Sequence, residues 1–349
     1  MKNKVVIIQE FIPPYRVPFF DRLNVALNGN LTLYVARKNA DISCEQRLLK
    51  IRSKAGFKFD NCSTSEFADY DVVVMMFDLR WFLLYRLLFR LPKKTVLWGH
   101  GMGQYALLAR VKAILIKRSM GFIAYESDGA DYFEPYGVER NKLAYMGNTV
   151  EVCDYHFSEK DRCFFTYMGR LQPRKRLSDF LKAYALLSDE HQSRAQVLIL
   201  GDGEIKFELE VLSKKLGISS KCRFVPGVYD QREIGKWLEK SIAYVSPGHV
   251  GLGVLHTFAY GVPVITRAGA PHAPEVCNVI DGETGFLVGD TLQALVESMA
   301  LYMSDPEQHM RHCRAAYKRY ANERTMAKMV GRFVSGLEQF TSNSSNEIN

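Results

Sequence analysis

The sequence predicts an α/β protein built from two doubly wound, Rossmann-like domains, and three observations lead there. Short apolar runs alternate with amphipathic stretches along the chain, the pattern of βαβ units and parallel sheets. The 349 residues exceed one ordinary domain and suit two of roughly 150–180 residues each. A polar break at residues 151–162, without apolar periodicity, divides the chain near its middle.

The expected strands, in order, are residues 5–9, 31–36, 72–77, 95–98, 121–125 and 143–146 before the break. After it come 164–168, 196–200, 222–225, 242–245 and 263–266. The first domain is expected over residues 1–155 and the second over 163–325. Residues 326–340 read as a helix packing back toward the first domain, and 341–349 as a loose polar tail. Ligands of doubly wound sheets collect beyond the carboxyl ends of the strands, which places a site in the cleft between two facing domains.

Composition narrows the function classes. A chain 47% hydrophobic and 24% charged is globular rather than disordered. The run Val5-Val-Ile-Ile8 is too short for a secretory signal and reads as a buried strand. The 7 cysteines are scattered and form no CxxC pair, so neither a metal site nor a disulfide framework is expected, and the cytoplasm is the expected compartment. Asp69-Tyr-Asp71 leads straight into a strand and reads as a turn, so no metal is invoked there. The net charge of +8 suits a phosphorylated substrate or an anionic membrane surface. Nucleic acid is set aside, because the basic residues form no long run and accompany no known motif. Residues 80–94 and 107–118 mix apolar and basic side chains. They read either as core-facing helices with solvated charges or as helices docking at a membrane interface.

The chemistry-bearing residues follow the strands. Arg170 and Lys175 lie in the loop after residues 164–168, just before a helix, where a guanidinium and an ammonium could hold a diphosphate; the same loop also reads as a basic surface turn. Gly201 ends the next strand in a Gly-Asp-Gly turn. Residues 248–253 form a glycine-rich loop whose Val250, Gly251 and Leu252 amides would face an anion from a helix N-terminus. One turn into that helix, His256 reads as a ligand contact or as a core hydrogen bond. Glu275 comes toward the same region on the following loop. In the first domain, Arg16 follows a proline-rich loop, with Phe19, Phe20 and Leu23 anchoring its helix. Arg16 suits an anionic acceptor or a salt bridge. A buried strand delivers His100 into a glycine loop.

Taken together, these segments resemble family 4 of the retaining GT-B glycosyltransferases over nearly the whole chain. Gly169-Arg-Leu171 with Lys175 is similar to the family's GRL-x-x-x-K motif, and Leu200-Gly-Asp-Gly203 to its L-G-x-G turn. Phe224-Val-Pro-Gly227 stands at the loop near the nucleotide base. Ser246 to Ile265 follows the donor loop and ends in Ala259-Tyr-Gly-Val-Pro-Val264. The Tyr15-Arg-Val-Pro-Phe-Phe20 segment, His100 and Asn148 also match family positions.

The resemblance implies transfer of a hexose-type sugar from a UDP- or GDP-type donor, with retention and without a metal cofactor. The second domain would bind the donor and the first a lipid-linked glycan acceptor, in polysaccharide biosynthesis at or near the inner membrane face. His100 would contact the transferred sugar. One departure stands out. Two glutamates expected in the donor loop fall on Gly248 and His256, leaving His249 and His256 as the groups for sugar and ribose. A sugar-nucleotide epimerase of the same fold and a non-catalytic, membrane-associated binding protein stay open as alternatives.

Overall fold

The computed structural model describes residues 3–346 except 40, 102–105, 154, 155, 158 and 160. The second half of the glycine loop after His100 and the last residues of the expected tail therefore lie outside the described residues, as does the expected first-domain boundary at 155. Two compact units divide the chain: Met1–Glu151 with Met326–Asn349, and Val152–Thr325.

In unit 1 the strands are β1 (Val5–Ile8), β2 (Leu31–Val35), β3 (Glu45–Leu48), β4 (Ile51–Lys54), β5 (Phe57–Asp60), β6 (Val72–Met76), β7 (Thr95–Gly99), β8 (Gly121–Ala124) and β9 (Leu143–Tyr145). Seven of them form one sheet in the order β3-β2-β1-β6-β7-β8-β9, and every pairing in it is parallel. Helices cover both faces, so the central strands are apolar throughout rather than alternating. Along β1, Val5 and Ile7 enter one core while Val6 and Ile8 enter the other. Strand order reverses between β1 and β6, which is the switch point of this sheet.

Unit 2 contains β10 (Phe164–Met168), β11 (Gln196–Leu200), β12 (Cys222–Val225), β13 (Ser241–Val245), β14 (Val264–Arg267) and β15 (Gly285–Val288). Their order is β12-β11-β10-β13-β14-β15, again all parallel. Here the switch point lies between β10 and β13.

Every run expected as a strand is one. The structure adds β3, the β4–β5 hairpin and β15. β3 and the hairpin are largely exposed and polar, so they lack the apolar signal that marks a buried strand. The hairpin turns on Ala55 and Gly56, both at positive φ (49° and 79°), as a tight two-residue hairpin loop requires. Asp71 caps the entry to β6, its Oδ2 accepting from the Lys4 amide at 2.8 Å. The stretch at 80–94 contains the helix Phe82–Arg90, which buries Leu83, Leu84, Leu87 and Leu88.

The final helix, Met326–Asn346, belongs to unit 1. Met329, Phe333, Leu337 and Phe340 recur at helical spacing and are all fully buried. Phe333 packs edge-on against Phe19 and Trp98, each at 5.4 Å between ring centroids. This corrects the expectation of a loose tail from residue 341. Thr341 Oγ1 donates back to the Leu337 carbonyl, and Asn343 Nδ2 donates to the Asn141 carbonyl, both at 3.0 Å. Burial of Phe340 and the bonds of Gln339 and Asn343 to the Asn141 carbonyl hold the helix against unit 1 where composition alone suggested a stop. Phe333→Ala should destabilise unit 1 by about 3–5 kcal/mol, the usual cost of emptying a buried phenylalanine site. Urea unfolding followed by tryptophan fluorescence measures it, and a loss below about 1 kcal/mol would contradict this account of the helix.

Candidate functional site

The loops beyond β10, β11 and β13 meet at the switch point of unit 2, and glycines allow them to touch backbone to backbone. The Gly169 amide donates to the Leu200 carbonyl and the Leu171 amide to the Asp202 carbonyl, both at 2.9 Å. A Cβ added at Gly201 would lie 2.0 Å from the Gly169 carbonyl oxygen, and one at Gly203 would lie 2.1 Å from that of Leu171. Gly201 also holds φ at +151°, a region that in practice belongs to glycine. Its role is therefore to let two strand ends interlock. Asp202, between the two glycines, accepts from the Gly227 amide at 2.6 Å, which fixes the loop after β12. These loops wall a cavity of about 560 Å³ whose lining includes Arg170, Gly201, Asp202, Gly227 and Tyr229. Arg170 is exposed on that wall; its carbonyl accepts from the Tyr167 hydroxyl at 3.0 Å.

Lys175 closes a short 3-10 turn, Pro173–Lys175. Arg176 follows in the left-handed region at φ 53°, reversing the chain into the helix Leu177–Ala185. An ionic lattice compensates for this uncommon conformation. Arg176 donates to Asp179 (3.0 Å) and Asp290 (2.8 Å), and the buried Arg267 donates to Asp179 at 2.6 Å. The turn is thereby tied to the end of β14 and to the segment after β15. The Gly248 amide donates to the Lys175 carbonyl (3.0 Å) and the His249 amide to the Arg174 carbonyl (2.9 Å). Lys175 Nζ in turn donates to the His249 carbonyl at 2.7 Å.

This packing explains Gly248. A Cβ there would come within 2.1 Å of the Arg174 carbonyl oxygen, so no carboxylate-bearing side chain fits, and the residue positions the Lys175 turn. Burial, with Arg174 nearby, pulls the Lys175 ammonium down to about 8, while Glu275 acts in the opposite sense. Glu275 is buried on the short helix Pro274–Asn278.

The loop after β13 carries a further correction. The Val250 amide, expected to face an anion, is taken by His272 Nδ1 at 3.2 Å. That bond places the ring proton on Nε2, which donates to the Arg267 carbonyl at 2.7 Å. Burial and the neighbouring Lys175 both lower the affinity of His272 for a second proton. Gly251 and Leu252 precede the first hydrogen bonds of the helix Gly253–Phe258, in which Val254 donates to Gly251 and Leu255 to Leu252. Their amides lie outside that ladder.

The histidines here are neutral by environment. Burial, with Lys175 and Arg174 adding to it, pushes His249 down to about 4, and burial alone does the same for His256. His256 is only 8% exposed, and its Nε2 has no hydrogen-bond partner among the described residues. The expectation of a core hydrogen bond for this ring nitrogen is not met.

The remaining candidates stand in unit 1. His100 follows β7, is exposed, and packs edge-on to Tyr125 at 4.7 Å. Asn148 is buried, and its amide donates to the Tyr125 carbonyl at 2.9 Å. Arg16 is 4% exposed and sits against aromatic rings. Sequence reasoning passed over His272, Asp202 and Arg176. The only signals were a histidine between two prolines, Pro271 and Pro274, an acid between two glycines, and a basic residue before a helix.

Comparison with known proteins sets this geometry in context. Residues 154–319 match the family described as glycosyl transferases group 1. The D-inositol 3-phosphate glycosyltransferase of Streptomyces avermitilis is 30% identical over 221 residues, covering 56% of this chain and 46% of that protein. The lipopolysaccharide core biosynthesis glycosyltransferase LpsE of Rhizobium meliloti is 30% identical over 122 residues, covering 35% and 33%. The chain thus spans less than half the length of these relatives. Anabaena HepE, crystallised in complex with UDP and glucose, superposes with a TM-score of 0.69 at 13% identity, covering 96% of this chain and 99% of that one. Two parallel-sheet, Rossmann-like units and such neighbours define a GT-B fold, and within it residues 154–319 are similar to the glycosyl transferases group 1 family.

Proposed function

We propose that the protein is a glycosyltransferase that moves a hexose-type sugar from a UDP- or GDP-type donor to a glycan or lipid-linked acceptor in polysaccharide biosynthesis. Unit 2 binds the donor. The observation that carries this reading is the pinned turn of Lys175 against the donor loop, beside a glycine-walled cavity lined by Arg170. The two cations supply the charge that a departing diphosphate needs, so the transfer proceeds without a metal. The Gly251 and Leu252 amides add dipoles of the same sign. His256, neutral and unpartnered at Nε2, donates to or accepts from a ribose hydroxyl where the family has a carboxylate, and His249 stands nearest the sugar. In unit 1, His100 contacts the transferred sugar and Arg16 the acceptor. Retention of configuration follows the family resemblance, with the acceptor hydroxyl attacking from the face the diphosphate leaves.

An anionic membrane surface is the proposed location of the acceptor. No helix among the described residues is long and apolar enough to cross a membrane. Residues 79–125 contain Arg80, Arg86, Arg90, Lys93, Lys94, Arg110, Lys112, Lys117 and Arg118 but no aspartate or glutamate. The same segment exposes Phe82, Phe89, Leu107 and Ile114. Exposed rings and aliphatic side chains among cations, of which Arg80 and Arg86 pair with Asp78 and Asp60, are the composition of an interfacial surface.

Three measurements test these statements. A panel of labelled UDP- and GDP-sugars with EDTA present should show turnover in the presence of a glycan or lipid-linked acceptor. Arg170→Ala should lower it about tenfold or more; sugar release or isomerisation from donor alone would instead indicate a hydrolase or an epimerase. The second concerns pH. Only the charged form of Lys175 attracts a diphosphate, and that form is lost as pH rises through about 8. UDP affinity by calorimetry should therefore fall about tenfold from pH 7 to pH 9, and Lys175→Met should bind weakly at both. A flat profile in the parent protein would remove Lys175 from the diphosphate site. The third is flotation: the chain should rise with phosphatidylglycerol vesicles, less so in high salt or with Phe89→Asp. Absence of binding at low salt would refute the membrane surface.

A further inference from the structure

Unit 1 has its own cavity, of about 270 Å³, at its switch point. Gln9 and Glu10 enter it from the end of β1, Met76 and Asp78 from β6, Trp98 from β7 and Tyr125 from beyond β8. Doubly wound sheets bind ligands at this position. The volume lies just below the usual range for small-ligand sites, about 300–1,000 Å³, which suits one ring-sized group rather than an oligosaccharide.

The chemistry of the wall is one-sided. Arg16 Nη1, Gln9 Nε2 and Trp81 Nε1 are buried with no hydrogen-bond partner among the described residues, and all three residues line this cavity. Each of those atoms is a donor. The wall carries two cations and two carboxylates, but they are unevenly paired. Lys58 is held by both Glu10 at 2.5 Å and Asp78 at 3.1 Å. Arg16 has no carboxylate partner among the described residues. Its guanidinium carbon lies 5.2 Å from the Tyr125 ring centroid and 5.6 Å from that of Trp98, close enough for cation–π attraction. Ring faces hold a guanidinium in place but accept no conventional hydrogen bond, so its planar fork stays available for a bidentate oxyanion.

We infer that this cavity binds the acidic group of a sugar or polyol acceptor, a phosphate or a carboxylate, with Arg16 as its counter-charge and Gln9 and Trp81 as additional donors. The inference deepens the acceptor role proposed for unit 1 and rests on that reading only for the word acceptor. Solvent reaches none of the three donor atoms, so the entering group meets them as the wall adjusts. Phe11 and Tyr15, 64% and 43% exposed, are the wall residues most open to solvent.

The test is calorimetric titration of the full chain with glucose 6-phosphate, glucuronate and glucose, with UDP titrated into the same preparations. At least one acidic sugar should bind about tenfold tighter than glucose. The one that does identifies phosphate or carboxylate as the source of the charge. Arg16→Met should abolish the preference and Arg16→Lys should keep part of it, since a point charge replaces the fork. Equal binding of all three sugars, or an undiminished preference in Arg16→Met, overturns the proposal. Should Arg16→Met fail to fold, as judged by its melting, Trp81→Phe carries the test. It removes one donor, keeps an aromatic ring, and should weaken only the acidic ligand. Loss of UDP binding by the parent protein with the acid preference intact would refute the donor reading and leave this pocket standing.

Discussion

Backbone contacting backbone is the constraint on which unit 2 depends. Where the loops after β10, β11 and β13 meet, carbonyl oxygens of Gly169, Leu171 and Arg174 occupy the space that side chains at Gly201, Gly203 and Gly248 would need. The contacts are hydrogen-bonded across the loops rather than merely close. Close packing of this kind transmits position: the Lys175 ammonium stands where it does because the turn bearing it is held from both sides. One side is the β13 loop; the other is the lattice of Arg176, Asp179, Arg267 and Asp290.

The same closeness sets the electrostatics. Excluding water from the turn disfavours every charge in it, so the lysine loses part of its affinity for a proton and the histidines nearly all of theirs. Where the family resemblance implies carboxylates, this loop carries neutral imidazoles beside a single lysine charge. The charge states of His249 and His256, both pushed down to about 4, are therefore insensitive to pH near neutrality, while the lysine titrates close to it.

Much of this was legible in the sequence, and what was not has physical reasons. Parallel strands buried on both faces, such as β1, β6 and β13, announce themselves as apolar runs. The polar edge strand β3 and the exposed β4–β5 hairpin carry no such signal, because water covers them. The placement of Arg170, Lys175 and Gly201 in loops at strand ends was readable because each follows a buried apolar run. Val250 was misread: its amide is satisfied by His272, 22 residues later, and a contact between loops leaves no local trace. Gly248 could be seen as a departure from the family pattern but not as a steric requirement, which needs the position of Arg174. The burial of Arg16 among rings was likewise invisible, since Trp98 and Tyr125 lie far from it along the chain.

The helix Met326–Asn346 has a consequence for how the chain comes to be folded. Unit 1 is discontinuous, with the whole of unit 2 inserted between Glu151 and Met326. As the chain leaves the ribosome, the first seven-stranded sheet is complete long before Phe333 and Phe340 exist to cover it. Unit 2, contiguous in sequence, has all its own parts while the earlier half still exposes an apolar face around Phe19, Phe20 and Trp98. The part made first is thus the part finished last, and the interval of synthesis between them is the time when the nascent protein is most exposed to aggregation and most in need of a chaperone.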